Sequence, residues 1–455
     1  MSIKICNAEE LTKDFFESRD FGSSVDIVKT VLSDVKNKGD EALKQYGAQF
    51  DVSSPEKIEI PQEELKAAAE KLNKENPELY KAIQFSHDLA FRFAKRQRQS
   101  FDDFEVELEK GMYTGQKNIP VDVAGAYVPA GRFPLFSSVI MTLTPAQAAC
   151  VKEIVLCTPP RVHPADMESA KSQGQGVPGK PYVGGKPYAD ESIMATAYIC
   201  GATHVFACGG AQAIAAMAYG TQTVPKANVI VGPGNKYVAE AKRLVYGTVG
   251  IDMLAGPTEV FIIADDSANP SWVAADLLAQ AEHDVVAQPM LVTTSLELAK
   301  KVSSEIDKQL ESLPTRAIAT ESINNFGKII ITKTLEEAAE LANKKAPEHL
   351  ELAMDDGSAR DKIASLVHNY GSLFIGHGSA EVFGDYAAGL NHTLPTSGTA
   401  KFTGGLSVRC FIKTVTTLRT KEGKKGVIES SIASETIGKA EGLFAHANAA
   451  KIRRG

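Results

Sequence analysis

The sequence predicts an α/β fold with largely parallel sheets, and three observations predict it. From about residue 120, short β-branched runs alternate with Ala-rich helical stretches. Several of these runs end in Gly or Pro and lead into a helix, the usual place for ligands in open α/β sheets. The chain has 455 residues, with 44% hydrophobic and 23% charged residues, enough to bury the cores of two or three domains.

The runs read as strands are EIVLCT (153–158), THVFAC (203–208), NVIVG (228–232), EVFIIAD (259–265), PMLVTT (289–294), KIIIT (328–332) and SLFIG (372–376). Helices are expected between them at 211–219, 236–246, 271–283 and 335–345. Ahead of them, 24–50 and 61–99 read as helical. Val25, Val28, Val31, Leu32 and Val35 recur at helical spacing, and Pro61 stands where a first turn begins. Residues 159–190 are rich in Gly, Pro and Lys and read as a long surface loop, either a lid or a tolerated insertion. From about 405 a strand-like stretch, VRCFIKTVTTL, and then a helix form a small appended unit.

The net charge of −7 argues against a general nucleic-acid binder. The N-terminus has early acidic residues and no apolar core, so no secretory signal is expected. Stretches such as Ser137 to Val151 are too short and broken to span a bilayer. The cysteines (Cys6, Cys150, Cys157, Cys200, Cys208 and Cys410) form no C-x-x-C pair. They read as small buried hydrophobes in a reducing compartment, which makes the expected location cytoplasmic.

P-loop and G-x-S-x-G motifs are absent, and there is no standard G-x-G-x-x-G fingerprint. The nearest to a phosphate cradle is GPGN (232–235), between a strand and a helix, where an ordinary tight turn is the commoner explanation. Of nine histidines, His87, His163, His204 and His368 fit ordinary packing or surface roles, and His377 fits either reading. Gln280 and His283 stand three apart on one helix, a spacing that can clamp a metal but more often lies on a surface. Glu348 and His349 are adjacent after Pro347, so the pair opens a helix or sits in a loop. In a cleft, its carboxylate could activate water and its imidazole could take a proton. Asp385, Asn391 and His392 share a Gly-rich run that suits a ligand loop or plain turns. Glu441 and His446 fit a solvated C-terminal helix.

Together, in order, GAYVPAG, GGAQAIAA, GPGNKYVAEAKR, IDMLAGPTEV, LLAQAEHD, APEHLEL, GDYAAGLNHTLPTSGTA and AEGLFAHAN resemble the zinc-dependent histidinol dehydrogenase family, from about residue 24 to the end. The resemblance implies two Rossmann-like α/β domains with small N- and C-terminal appendages. It suggests an extension at 1–23, a discontinuous first domain of 24–126 and 257–404 carrying most of a zinc site, an NAD-binding second domain of 127–256, and a C-terminal unit of 405–455. It implies one Zn2+ per subunit held by Gln280, His283, Asp385 and His446, with Glu348 and His349 catalytic. Tyr127, Gln212 and Asn235 would contact NAD. Thr258, Gln280, His283, His349, Asp385, His392, Glu441 and His446 would contact the substrate. The implied reaction is the oxidation of a primary alcohol through an aldehyde to a carboxylate with two NAD, L-histidinol to L-histidine. The implied assembly is a homodimer in which the C-terminal unit of each chain completes its partner's site.

Three departures point to a sister group, the sulfopropanediol dehydrogenases. They are Thr258 where Ser is usual, Arg132 in AGRFPLF (130–136), and the stretch FTGGLSVRCFIKTVT (402–416). A sulfonate substrate would call for a cation, and Arg132 or Arg409 could supply it. Two further classes are disfavoured. An aldehyde dehydrogenase needs a nucleophilic Cys, and no cysteine here has a polar setting for that role. An inactive binding paralogue should have lost a zinc ligand or the Glu–His pair, and all six residues are present.

Overall fold

The computed structural model describes residues 3–17, 24–130 and 133–454. Two six-stranded sheets and a three-stranded sheet organise it, with a two-stranded ribbon at the side. In the first sheet the order is Lys4–Asn7, Lys328–Ile331, Gln288–Thr293, Glu259–Ala264, His349–Ala353 and Ser372–Ile375, all parallel. In the second it is Gly250–Ile251, Val229–Val231, Val123–Tyr127, Glu153–Thr158, His204–Ala207 and Glu59–Ile60. Only the last of these strands runs antiparallel. The expected α/β architecture with largely parallel sheets is therefore the one found. Central strands such as Glu259–Ala264 and Gln288–Thr293 are buried along their whole length, as helices on both faces of a parallel sheet require.

Each of the seven predicted runs coincides with a strand, with ends shifted by at most one residue. The N-terminal helical reading needs two breaks. Helix Val25–Lys38 stops at Gly39 (φ +59°) before Asp40–Phe50, and Gln62–Glu75 is separated from Pro77–Arg98 by Asn76, whose side chain caps the second helix. The stretch VRCFIKTVTTL is a 3-10 turn over Val408–Phe411 followed by the strand Ile412–Thr420. The loop 159–190 is not structureless. It carries the helix Met167–Ser172 and the strand Tyr182–Val183, which pairs with Ser53–Ser54.

The grouping of 24–126 with 257–404 differs from the packing. Val28, Val31, Leu32 and Val35 pack with Val155, Phe206 and Ile214, and Leu65 and Ile83 pack with Ala124, Leu156 and Val205. The apolar stripes of these four helices thus cover the second sheet, not the first. The strand Lys4–Asn7, expected to belong to an extension, instead forms an edge of the first sheet. Residues Phe104–Glu109 and Met112–Pro120 form an antiparallel arm with Ile412–Thr420, so the C-terminal unit borrows strands from early in the chain. No described helix is long and apolar enough to cross a membrane.

Candidate active site

Two places on the molecule gather the residues singled out above, and they lie on opposite kinds of sheet edge. The first is the amino edge of the first sheet. Thr258 directly precedes the strand Glu259–Ala264, and Glu348 directly precedes His349–Ala353, with Val260 opposite His349 in register. The chain turns into that second strand through Ala346 in the left-handed region. His349 therefore opens a strand, where the sequence suggested a helix start or a loop. Pro347 rules out neither, and the long-range pairing with strand 259–264 decides it. Gln280 sits at the end of helix Pro270–Ala281, fully buried, with His283 just past it. Asp385 lies in the short helix Glu381–Tyr386.

The geometry assigns protons. His349 Nδ1 lies 3.2 Å from the Glu259 carbonyl oxygen, which can only accept, so Nδ1 carries the hydrogen. Nε2 is then the basic atom. It faces Asp385 Oδ1 at 3.4 Å without the alignment of a hydrogen bond. Glu348 accepts from the Glu259 N–H at 2.9 Å and contacts the Thr258 hydroxyl. Thr258 in turn contacts the Gln280 amide. Burial pushes the Glu348 carboxyl up to about 7, against the lowering effect of His349. Burial pulls His349 down, but Glu348, Asp385 and Glu381 outweigh it and raise it to about 10. His283, although much of the residue is exposed, is lowered by desolvation of its ring against the pull of Asp385. Burial raises Asp385, yet His349, His392 and His283 hold it below its usual value.

Among the buried side-chain atoms of the described residues that lack hydrogen-bond partners are His349 Nε2, Asp385 Oδ1 and His392 Nε2, from separate segments. Leaving such groups unpaired costs about 1–3 kcal/mol each, which a bound cation or polar substrate would recover. Gln280 and His283 stand at a helix C-terminus, where the partial negative charge favours a cation. Gln280, His283 and Asp385 offer oxygen and nitrogen donors of the kind zinc takes, although no group of three or more His, Cys, Asp or Glu among the described residues is arranged to hold a metal ion.

The structure does not bring Glu441 and His446 to this cluster. Both are exposed, Glu441 in the turn after helix Lys425–Ala440 and His446 on helix Phe444–Lys451, and no hydrogen bond or ion pair among the described residues links them to it. Arg132 lies outside the described residues, and Arg409 is exposed. Sequence reasoning missed three acids behind the cluster. Asp276 is four residues before Gln280, Glu351 two after His349, and Glu381 four before Asp385, so helix and strand periodicity put each behind a site residue. Burial is the leading cause that raises all three, Asp276 to about 6 and Glu351 to about 8.

The second place is the carboxyl edge of the second sheet, at the switch between strands Val123–Tyr127 and Val229–Val231. Tyr127 is buried, and its hydroxyl accepts from the Gly210 N–H at 3.1 Å. Gln212 is buried in the first turn of helix Gly210–Tyr219. Asn235 caps helix Lys236–Val245 with its oxygen, at 3.0 Å from Tyr237 N and 3.2 Å from Val238 N, which leaves its amide nitrogen out of the cap. Gly232 has φ +114°, and a Cβ there would stand 2.2 Å from the Tyr127 oxygen, so only glycine fits. Asp252 accepts from Gly232 N–H at 2.8 Å and pairs with buried Lys242, which itself donates to the Gly232 oxygen at 2.9 Å. Asp51, also missed, is pushed up to about 7 by burial against a hydrogen bond from Gln212. Cys157 stands opposite Tyr127 in register, and Cys208 packs in the same core. Cys157, Cys200 and Cys208 are buried and raised by desolvation, so none of them is an activated nucleophile.

Two parallel α/β sheets, one with a Gly-rich carboxyl edge and one with a buried Glu–His pair at its amino edge, define a two-sheet α/β dehydrogenase. The family model for histidinol dehydrogenase matches residues 17–176 and 180–454, and the chain belongs to that family, whose members are oxidoreductases acting on CH–OH groups. It is 42% identical to a histidinol dehydrogenase of Streptococcus mutans over 94% of this chain and 92% of the relative. It is also 42% identical to a sulfopropanediol 3-dehydrogenase of Ruegeria pomeroyi, over 98% of this chain and 96% of the relative. The crystal structure of a histidinol dehydrogenase from Elizabethkingia anophelis superposes with a TM-score of 0.87 at 34% identity, covering 99% of this chain and 98% of that one.

Proposed function

We propose that the protein carries out the NAD-dependent, zinc-assisted oxidation of L-histidinol through its aldehyde to L-histidine. The observation that carries this reading is the buried Glu348–His349 pair, with its unpaired Nε2 beside the unpaired Asp385 oxygen. His349, fixed through Nδ1 on the Glu259 carbonyl, takes the alcohol proton at Nε2 as hydride leaves for NAD. Glu348, poised near neutrality, activates water for attack on the aldehyde, and a second hydride transfer gives the carboxylate. Gln280, His283 and Asp385 would hold zinc, which polarises the substrate hydroxyl and lowers the cost of the alkoxide. With Asp385 committed to a cation, His349 loses part of the negative charge that holds its proton, and its neutral, basic form becomes accessible. Tyr127, Gln212 and Asn235 would hold NAD at the carboxyl edge of the second sheet, and Thr258 and His392 would contact the substrate.

A homodimer completes this reading. The C-terminal arm exposes Phe104, Leu108, Leu418, Ile437, Leu443 and Phe444, an apolar surface suited to a second copy. Glu441 and His446 on that arm would then serve the partner's site. A cytoplasmic location fits the free cysteines.

The test is NADH formation by zinc-loaded protein with L-histidinol and dihydroxypropane sulfonate side by side. Histidinol turnover with two NADH per substrate is expected. Turnover of the sulfonate alone would overturn the substrate and leave the catalytic roles in place.

A further inference from the structure

A glutamine side chain presents an oxygen and a nitrogen of nearly the same size, so packing alone cannot choose which end faces a metal. Gln280 is fully buried between the Thr258 hydroxyl and the Glu381 carboxylate, and those neighbours must choose. With the amide nitrogen toward Glu381, it donates to the two carboxylate oxygens at 3.0 and 2.7 Å, and the amide oxygen accepts from Thr258. The reverse orientation sets the amide oxygen against the carboxylate.

We propose that Glu381 is a positioning residue that fixes the Gln280 amide with its nitrogen on the carboxylate, so that its oxygen is the atom offered to the metal. This rests on the zinc reading above. Glu381 is itself held firmly. Its side chain is 1% exposed, and its backbone N–H donates to Glu351 Oε1 at 2.8 Å. Asp385 follows one turn later in the same short helix, where Gly384 lets the Phe374 ring approach to 2.8 Å from a would-be Cβ. One packed element thus delivers a candidate ligand in Asp385 and the residue that orients another in Gln280. The bond from the nitrogen to Glu381 draws electron density onto the amide oxygen, strengthening an otherwise weak ligand.

Zinc release into excess chelator, read with a colorimetric indicator, tests this on the whole protein. Glu381→Met keeps the shape and removes the acceptor, and it should weaken zinc affinity by about 10- to 100-fold. Glu381→Gln keeps an acceptor without charge and should fall between Met and wild type. In the cobalt-substituted protein, Glu381→Met should shift the visible absorption bands, a change that a packing defect distant from the metal would not produce. Wild-type release from a folded Glu381→Met protein, with Gln280→Ala releasing zinc faster, would overturn the proposal and keep the metal reading. A wild-type protein that takes up no zinc would overturn both. If Glu381→Met does not fold, Glu381→Gln decides, and release at the wild-type rate counts against the proposal.

Discussion

The two parallel sheets use opposite edges. In the second sheet, Tyr127, Gln212 and Asn235 stand where strands end and helices begin. In the first, Thr258, Glu348 and His349 stand where strands begin, and Gln280 and His283 stand where a helix ends. Helix N-termini offer partial positive charge and backbone N–H groups, which suit a pyrophosphate. Helix C-termini offer partial negative charge, which suits a cation. The same α/β architecture therefore supplies an anion-favouring edge and a cation-favouring edge. The charge of the ligand follows from which end of the helices meets it.

Four substitutions break or sharpen that contrast, and they descend in expected effect. His283→Ala should abolish zinc binding and reduce turnover to background while the circular-dichroism spectrum stays native; retained zinc with full activity would remove His283 from the metal set. Glu348→Gln should slow aldehyde oxidation more than alcohol oxidation, by on the order of 10²-fold. Single-turnover kinetics on each substrate separate the steps, and equal slowing would reject the water-activating role. Gly232→Ala perturbs only the other edge. Its strain, on the order of 1–3 kcal/mol, should raise the NAD dissociation constant about ten-fold with zinc content unchanged. Loss of zinc in that variant would mean the two edges are not independent.

The smallest effect concerns Asp51. Burial raises its carboxyl to about 7 in the folded chain, against about 3.9 in an unfolded one. Between those values the folded state holds the extra proton, so Asp51's contribution to stability falls as pH rises from about 4 to 7. Asp51→Asn should flatten the decline of Tm over that window, by a few degrees at most. Thermal melts of the metal-free protein across pH read it, and an unchanged slope would count against a buried, proton-holding Asp51.

Much of this was legible beforehand. The runs at 153–158, 259–265 and 328–332 are strands because β-branched segments with an apolar centre and that length suit a sheet covered on both faces. Gln280 and His283 were visible as a helical i, i+3 pair, and Glu348–His349 as an acid beside a base. The resemblance named Asp385 and Thr258. Glu381, Glu351 and Asp276 went unremarked, although each stands at helical or strand spacing from a named residue. Buried acids attract notice only once their burial is known, because in sequence a carboxylate reads as surface.

The chain itself determined the class of fold, most strand positions, and the residue types able to hold a metal and move a proton. Periodicity and side-chain chemistry are local properties. The tertiary structure decided which sheet the helices Val25–Lys38 through Pro77–Arg98 cover, that His349 opens a strand, and that the Glu348–His349 pair lies at an amino edge. It also decided which atoms of His349, Asp385 and His392 are left without partners. These depend on contacts between residues up to hundreds of positions apart, and no local pattern in the sequence encodes them.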